Sequence, residues 1–295
     1  MVRPVVPEAD KEIGVKHPVL THGYVVLVDY MGNDAAIVQA ARVSYGKGTR
    51  AVRDDRGLIR YLMRHRHTTP FEMVEFKFLV RLPIFVARQW IRHRTASVNE
   101  FSQRYSVAHD EFEVPPVEEV RHQSTRNRQG RGEALPAETV DRFRNDLERV
   151  ASDAYAAYTR ALDSGVARET ARLLLPVAYY TEWYWKSDLW NIFHFLSLRL
   201  DPHAQEEIRL YAAEMAKIVR LVAPVAYEAF EDFSLSGLSL SRREQVAVRE
   251  MLKGKSAEAA CKDAGLPLQR EDGKPMTSGE GVEFLEKLTR IRSPG

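Results

Sequence analysis

The residues with the richest chemistry in this sequence fall within one continuous segment, from Arg92 to Tyr105. Arginines, a histidine, a carboxylate, amides and seryl hydroxyls are combined there, at Arg92, His93, Arg94, Ser97, Asn99, Glu100, Ser102, Gln103 and Arg104. Guanidinium groups bind phosphate through paired hydrogen bonds, and hydroxyl and amide groups fix the orientation of the anion. The segment therefore suits a nucleotide or a phosphorylated cofactor. A solvated, salt-bridged helix end is the competing interpretation, and composition alone leaves the two level.

The run from Pro83 to Ile91 predicts a helix that leads into this segment. Proline is suited to the first turn of a helix, and Ile84, Ala87 and Ile91 recur on one face. The opposite face then carries four polar side chains, those of Arg88, Gln89, Arg92 and His93.

The order of these residues resembles the signature of the flavin-dependent thymidylate synthases. In that signature, Arg-His-Arg is followed after three residues by Ser/Asn/Glu and then by Ser-x-Arg-Tyr, as in residues 92–105 here. A motif of this length is more specific than a short glycine pattern. The resemblance extends over about residues 23–233. It includes two later segments, Arg168-Glu169-x-x-Arg172-x-x-Leu175-Pro176 and the run from Arg199 to Glu207.

The resemblance implies a binding site for dUMP. Its residues are Gln89, Arg92, Glu100, Ser102, Gln103, Arg104, Arg172 and Arg199. Arg199 is also the implied catalytic residue, because the family has an arginine there against the pyrimidine ring. For Arg172, the neighbouring residues alone favour a local ion pair with Glu169, one turn away. The resemblance instead assigns Arg172 to the phosphate.

The resemblance also implies a site for FAD. Its residues are Ser44, His67, Thr69, Arg92, His93, Arg94, Glu100, Asp188, Trp190 and His194. Trp190 departs from the family pattern, which has a polar residue such as histidine there, so its backbone is the group left to contact the flavin. His65 and His67 have a spacing that metal ligands can have, but no third ligand lies nearby in the sequence. No metal site is expected.

The implied reaction is the reductive methylation of dUMP to dTMP, with 5,10-methylenetetrahydrofolate as carbon donor and NADPH as reductant through FAD. A homotetramer with active sites shared between subunits is implied as well. The family needs no enzyme nucleophile, which agrees with a single cysteine, Cys261, far in sequence from every polar cluster. One cysteine also excludes an intramolecular disulfide and a multi-cysteine metal site.

Two other functions compete with this one. A nucleic-acid-binding protein would use the arginine-rich insertion 121–131 and a C-terminal segment that faintly resembles a helix-turn-helix of the response-regulator type. The supposed recognition region, residues 269–274, mixes charge signs instead of presenting a basic stripe, which argues against this function. A flavoprotein oxidoreductase that acts on another substrate is the third candidate.

The composition is that of an ordinary globular protein, with 295 residues, 44% of them hydrophobic and 28% charged. A net charge of +2 is too small to indicate nucleic acid by itself, and it suits anionic small molecules. The first residues contain no apolar stretch of the signal-peptide kind, and no span approaches transmembrane length. A cytoplasmic protein without membrane contact is therefore expected.

The resemblance implies an α/β (α+β) core of antiparallel strands packed with long helices, in a catalytic domain of residues 1–236. Residues 237–295 lie beyond the resemblance and are expected to form a helical C-terminal extension. Periodicity predicts strands over 23–29, 75–82 and 179–186, and helices over 56–64, 137–163 and 202–222. Residues before His22 are expected to be loose.

Two predictions concern the middle of the chain. Residues 111–136 are expected to form a mobile surface insertion, with an anion-binding flap as the less favoured interpretation. The helix that follows carries an apolar stripe expected to be core, formed by Val140, Phe143, Leu147, Val150, Ala154, Tyr158 and Leu162.

Overall fold

The computed structural model describes residues 5–43, 55–124, 130–270 and 272–292. Contacts divide the chain into two compact units, residues 1–235 and 236–295. The first unit combines a sheet with helices, and helices dominate the second. The predicted fold class, an α/β (α+β) core with antiparallel strands, long helices and a helical C-terminal segment, is confirmed.

The strands of the described residues lie in the first unit. They are β1 (Lys16–Val19), β2 (Gly23–Met31), β3 (Glu75–Pro83), β4 (Ser97–Glu100), β5 (Arg121–Gln123), β6 (Arg131–Ala134) and β7 (Tyr180–Asp188). Five of them form an antiparallel sheet in the order β1-β2-β3-β7-β4, and β5 and β6 form a separate hairpin.

The helices of the first unit are α1 (Pro7–Asp10), α2 (Asp34–Arg42), α3 (Asp55–Arg64), α4 (Ile84–Trp90), α5 (Ala137–Asp163), α6 (Arg168–Ala171), α7 (Leu189–Arg199), α8 (Glu206–Val222) and α9 (Pro224–Phe230). Short 3-10 turns cover Phe71–Met73, Val117–Glu119 and Arg172–Leu174. The second unit contains α10 (Arg242–Leu252), α11 (Ala257–Asp263) and α12 (Glu280–Arg292).

The central strand β3 forms as its alternating sequence predicts. Its buried side chains are those of Phe76, Phe78, Val80 and Leu82. The next strand, β7, buries Thr181, Trp183, Trp185 and Ser187 in the same alternating manner. Because alternate residues face opposite sides of a sheet, one side of β3 and β7 packs into the core, and their ends lead directly into α4 and α7.

The helices beside this sheet are amphipathic and close its buried side. α7 buries Leu189, Ile192, Phe193 and Leu196, and α8 buries Ile208, Tyr211, Met215, Val219 and Val222 among others. α8 begins at Glu206 and not at Pro202 as predicted. The reason is a local turn in which the amide of His203 and the ring Nδ1 of His203 both contact Asp201 Oδ1, each at 2.8 Å.

The long helix α5 has the predicted bounds, but its apolar stripe is not core along its whole length. Val140 and Tyr158 are buried, whereas Phe143 and Val150 are each 48% exposed. Tyr158 anchors the helix because its hydroxyl accepts a hydrogen bond from the backbone N–H of Ala108 at 3.1 Å. The prediction of a continuous core stripe is therefore wrong for Phe143 and Val150, which lie on an unpartnered face of the described chain.

Two segments predicted to lack regular structure contain strands in their described residues. Before His22, β1 pairs with β2, and the Tyr30 hydroxyl contacts Asp10 Oδ1 at 2.5 Å, so the prediction of a loose segment is wrong. Within 111–136, β5 and β6 pair as a hairpin, which corrects the prediction of a surface insertion without regular structure. The strands β1, β5 and β6 have only three or four residues each, which is too short for local periodicity to reveal them.

The C-terminal unit has its own small core, made of Ala247, Ala260, Cys261, Leu266 and Phe284. α10 starts with a capping box, in which Ser241 and Glu244 exchange side-chain and backbone hydrogen bonds. Cys261 is fully buried, and burial raises the pKa of its thiol. Among the described residues, no helix combines the length and apolarity needed to cross a membrane.

Candidate active site

Helix α4 carries the chain from the central sheet to the Arg-His-Arg segment. Pro83 is its N-cap residue, in extended conformation, and the helix buries Val86, Ala87 and Trp90. Ile91, predicted on the buried face, is 41% exposed. The regular helix ends at Trp90, so Ile91 is its C-cap and leaves the register of that face. Gln89 lies away from the core, where it lines a cavity.

The structure brings His93 and Arg199 together from distant parts of the chain. The Arg199 Nε–H donates to His93 Nε2 at 3.0 Å. The His93 ring also packs edge-on against the rings of His194 and Phe195, with centroid distances of 5.8 and 5.0 Å. Burial, the Arg199 charge and His194 together lower the pKa of His93 to about 4. The imidazole is therefore neutral at physiological pH.

A first cavity, of about 430 Å³, opens in front of Arg199. It is lined by Gln89, Arg131, Leu198, Arg199, Asp201, His203, Ala204 and Gln205. The side-chain oxygen of Gln89 is buried there without a hydrogen-bond partner in the described residues. Because a buried amide normally has a partner, this unused group marks a place for a polar ligand. Burial also lowers the pKa of Arg199, which nevertheless stays protonated at neutral pH.

A second cavity, of about 380 Å³, collects residues of the other half of the signature. It is lined by Ile84, Glu100, Phe101, Ser102, Gln103, Arg172 and Thr181. Glu100 is held by the buried Thr181, whose hydroxyl donates to its Oε1 at 2.7 Å. The Ser102 hydroxyl accepts the amide of Arg104 at 3.3 Å, which tightens the turn that carries it. The cavity thus offers a cation, hydroxyl groups and an amide within a short distance.

Arg172 does not form the local ion pair with Glu169 that its neighbours favoured. Its Nε–H donates to the backbone carbonyl of Glu169 at 3.3 Å. The Glu169 carboxylate instead pairs with Arg104 Nη2 at 3.0 Å. The sequence pattern could not distinguish these arrangements, because Arg104 is far from Glu169 along the chain.

The predicted flavin residues do not all lie together: Glu100 lies in the second cavity, and the others are found elsewhere. His93 and His194 lie beside Arg199, as described. His67 and Thr69 follow the end of α3, where the His67 ring lies 5.9 Å from that of Tyr61. Asp188 and Trp190 begin α7: Asp188 caps the helix by accepting the amide of Asn191 at 3.0 Å, and Trp190 packs on Phe71 at 5.9 Å. Ser44 lies outside the described residues.

These places are linked through Phe71, which follows the Thr69 turn. Its ring contacts both Trp190 and Phe193 of α7, so the α3 turn is packed against the start of the helix that ends at Arg199. Arg92 and Arg94 are exposed and have no ion-pair partner among the described residues. Exposed guanidinium groups of this kind can donate paired hydrogen bonds to the pyrophosphate of FAD.

One cavity residue was not singled out by the sequence. Arg131 of β6 lines the first cavity and bridges two carboxylates, with Nη1 at 2.6 Å from Glu119 and Nη2 on the buried Glu207. Burial by itself would lower the pKa of Arg131, but the two carboxylates outweigh this effect and raise the pKa. In the sequence, Arg131 was one of several scattered arginines, and no spacing separated it from the others.

Comparisons with known proteins agree with this geometry. Residues 26–225 match the family model described as thymidylate synthase complementing protein. The flavin-dependent thymidylate synthase of Thermus thermophilus is 56% identical over 278 residues, which are 94% of this chain and 96% of that protein. The protein of the same name from Ruegeria pomeroyi is 53% identical over 258 residues, covering 86% of this chain and 85% of that one.

A solved structure is similar as well. The UMP/dUMP methylase PolB from Streptomyces cacaoi, bound with 5-Br dUMP, aligns with a TM-score of 0.66 and 37% identity, over 74% of this chain and 99% of that one. Residues 26–225, which match the family model, contain the strands β3, β4 and β7, both cavities and the Arg-His-Arg segment. The chain belongs to the flavin-dependent thymidylate synthases.

Proposed function

We propose that this enzyme methylates dUMP to dTMP, taking the carbon from 5,10-methylenetetrahydrofolate and the reducing equivalents from NADPH through FAD. The observation that carries the proposal is the Arg199 cavity, which is lined both by a guanidinium hydrogen-bonded to His93 and by Gln89, whose buried side-chain oxygen has no partner among the described residues. The similar Streptomyces cacaoi protein, a UMP/dUMP methylase bound with 5-Br dUMP, supports a uridylate substrate. The comparisons give no support to the nucleic-acid alternative.

The role of Arg199 follows from the chemistry of the pyrimidine. Bond formation at C5 and hydride addition at C6 both move negative charge onto the N3–carbonyl edge of uracil. A guanidinium already oriented toward that edge stabilises the charge as it develops, without further reorganisation. FAD, when bound, supplies the hydride chemistry. The first cavity would hold the base, with Gln89 beside it.

No nucleophile of the protein is needed in this scheme. The described chain offers no activated thiol, because its only cysteine, Cys261, is buried in the C-terminal unit with a raised pKa. The work of the protein is therefore to bind, orient and stabilise charge. All residues of both cavities lie in residues 1–235. We assign catalysis to residues 1–236, with 237–295 as a helical extension.

We further propose a homotetramer in which one subunit supplies the Arg199 cavity and another supplies the Arg172 cavity. The two cavities share no lining residue. Beside Arg172, the side chain of Leu173 is 80% exposed, and that of Tyr105, next to Arg104, is 79% exposed. Large exposed apolar side chains beside a polar cavity are expected where another subunit packs. A second copy could thus bring the phosphate-binding groups of the Arg172 cavity to a base held at Arg199.

The direct test is anaerobic incubation of the purified protein with dUMP, 5,10-methylenetetrahydrofolate and NADPH, followed by detection of dTMP. We expect dTMP with all three present and none when any one is omitted. A protein that shows a flavin spectrum and oxidises NADPH but forms no dTMP would contradict the proposal and favour an oxidoreductase of other specificity.

Arg199→Lys supplies the matching variant. Lysine keeps the charge but loses the planar fork, so single-turnover dTMP formation with pre-reduced enzyme should fall more than dUMP affinity does. An unchanged rate in Arg199→Lys and in Arg199→Ala would end the assignment of pyrimidine activation to this residue.

A further inference from the structure

In the hydrogen bond between Arg199 and His93, the donor and the acceptor can be assigned. A guanidinium has only donors, so the His93 Nε2 that lies 3.0 Å from Arg199 Nε must be the acceptor. The proton of the neutral ring is then on Nδ1. Two charged or titratable side chains face this ring, Arg199 and His194, and both disfavour its protonation. The acceptor is consequently present throughout the neutral pH range.

The imidazole itself is held by the core. The backbone amide of His93 donates a hydrogen bond to the carbonyl of Trp90 at 3.0 Å. The ring packs on Phe195, which stacks in turn on Trp90 with centroids 4.6 Å apart. Phe195 and Trp90 are both fully buried. The ring therefore cannot rotate freely, and its Nε2 lone pair points in one direction.

This fixed acceptor restricts the guanidinium of Arg199. Its Nε–H is used by His93, so the four N–H groups on the two Nη atoms remain for a ligand. Because the guanidinium is planar, one directed bond at Nε also sets the plane in which those groups lie. Arg199 is only partly buried and makes no ion pair among the described residues, so no carboxylate there competes with His93 for its orientation.

We propose that His93 is a positioning residue, which acts on the pyrimidine by orienting the Arg199 fork toward its N3–carbonyl edge. The inference rests on the proposed function. It adds to the flavin contact implied for His93 a role toward the nucleotide. An error in the orientation of a catalytic group costs rate more than affinity, because the correct geometry matters most in the transition state.

The test compares two substitutions at one position. In His93→Gln the amide oxygen can still accept from Arg199, whereas His93→Leu has similar bulk and no acceptor. With FAD content matched by absorbance, we expect single-turnover dTMP formation to fall up to about 100-fold in His93→Leu, with dUMP affinity changed much less. His93→Gln should recover most of that rate. In an Arg199→Lys background, His93→Leu should cost little more.

Equal rates in His93→Gln and His93→Leu, or an effect of His93→Leu that adds fully to that of Arg199→Lys, would overturn the proposal. A readout independent of turnover is the ¹⁵N NMR spectrum of the imidazole in the flavin-loaded enzyme without nucleotide. An Nδ1–H tautomer is expected, and an Nε2–H tautomer would also overturn it. Absence of dTMP from the wild-type enzyme would instead count against the proposed function, and the tautomer measurement would still test the contact.

Discussion

Arg172 is the residue through which the second cavity can bind a phosphate. Its Nε–H is used by the Glu169 carbonyl, and its remaining donors face a cavity with Ser102 and Gln103. A hydrogen bond to a charged group contributes about 1.5–3 kcal/mol, so Arg172→Ala should raise the dissociation constant for dUMP roughly 10- to 150-fold, with the FAD absorbance unchanged. Isothermal titration calorimetry measures this directly.

Arg149→Ala is the matched control for charge, since Arg149 is an exposed arginine of the same unit that lines neither cavity. A loss of dUMP affinity as large in this control as in Arg172→Ala would indicate a general charge effect. Unchanged dUMP affinity in Arg172→Ala would show that Arg172 does not bind the phosphate and has only its structural hydrogen bond to the Glu169 carbonyl.

The neutral state of His93 links stability to pH. Its pKa is about 4 in the folded chain and 6.5 in its ordinary state. Between these values the unfolded chain binds more protons than the folded chain, so stability rises with pH and is lost as pH falls from about 6.5 toward 4. The stability of the wild type relative to His93→Gln should therefore be lower at about pH 5 than at about pH 7.

Denaturation followed by tryptophan fluorescence measures this in the relevant unit, because the four tryptophans of the chain, Trp90, Trp183, Trp185 and Trp190, are all in residues 1–235. Comparison with the variant removes the contribution of other titrating groups that the two proteins share. A difference in stability that does not change with pH would show that His93 titrates normally in the folded enzyme.

At the scale of elements, the β5–β6 hairpin depends on one ion-pair cluster. Arg131 joins Glu119 of the preceding turn to Glu207 in the first turn of α8, and Glu207 is only 7% exposed. Removing Arg131 leaves a buried carboxylate without its cation, which is costlier than removing both partners. Arg131→Ala should thus destabilise the enzyme more than the double variant with Glu207→Gln.

A double-mutant cycle measures the coupling, which we expect at about 0.5–3 kcal/mol. Arg121→Ala is the control, because this arginine lies in the same hairpin at 3.5 Å from Glu119 and does not reach Glu207. Since Arg131 also lines the Arg199 cavity, dUMP affinity should fall with Arg131→Ala and not with Arg121→Ala. Additive effects of Arg131 and Glu207 on stability would refute the cluster.

These elements also show what the sequence could predict. The bounds of β3 and α5 follow from periodicity, since alternation and the 3.6-residue repeat are local properties. The hairpin does not, because its strands are short and its cluster joins Arg131 to a residue 76 positions away. In the same way, motifs located Glu100, Ser102 and Arg199, whereas the His93–Arg199 bond and the cavity position of Arg131 arise only from the tertiary fold.

On the scale of the whole molecule, the unpartnered faces of the described chain bear on assembly. Phe143 and Val150 of α5 are each 48% exposed, and Leu173 near the second cavity is 80% exposed. We expect charge on this face to prevent association, so that Phe143→Glu with Val150→Glu gives a smaller species in analytical ultracentrifugation and little dTMP. Exposed alanines of α5, such as Ala156, provide the control substitution to Glu. If the double variant keeps both the size and the activity of the wild-type enzyme, this face does not take part in assembly.

Sharing of sites between subunits makes a stronger prediction, which does not depend on any one surface residue. An Arg199→Ala chain keeps its Arg172 cavity, and an Arg172→Ala chain keeps its Arg199 cavity. If each site takes one cavity from each of two subunits, random mixing of the two chains places both intact cavities together in about one quarter of the sites. Subunits exchanged by mild denaturation and refolding should then form dTMP at about that fraction of the wild-type rate. Each variant treated alone should remain nearly inactive. If every site is built within one chain, the mixture can be no more active than the average of its components, and that result would refute the shared site.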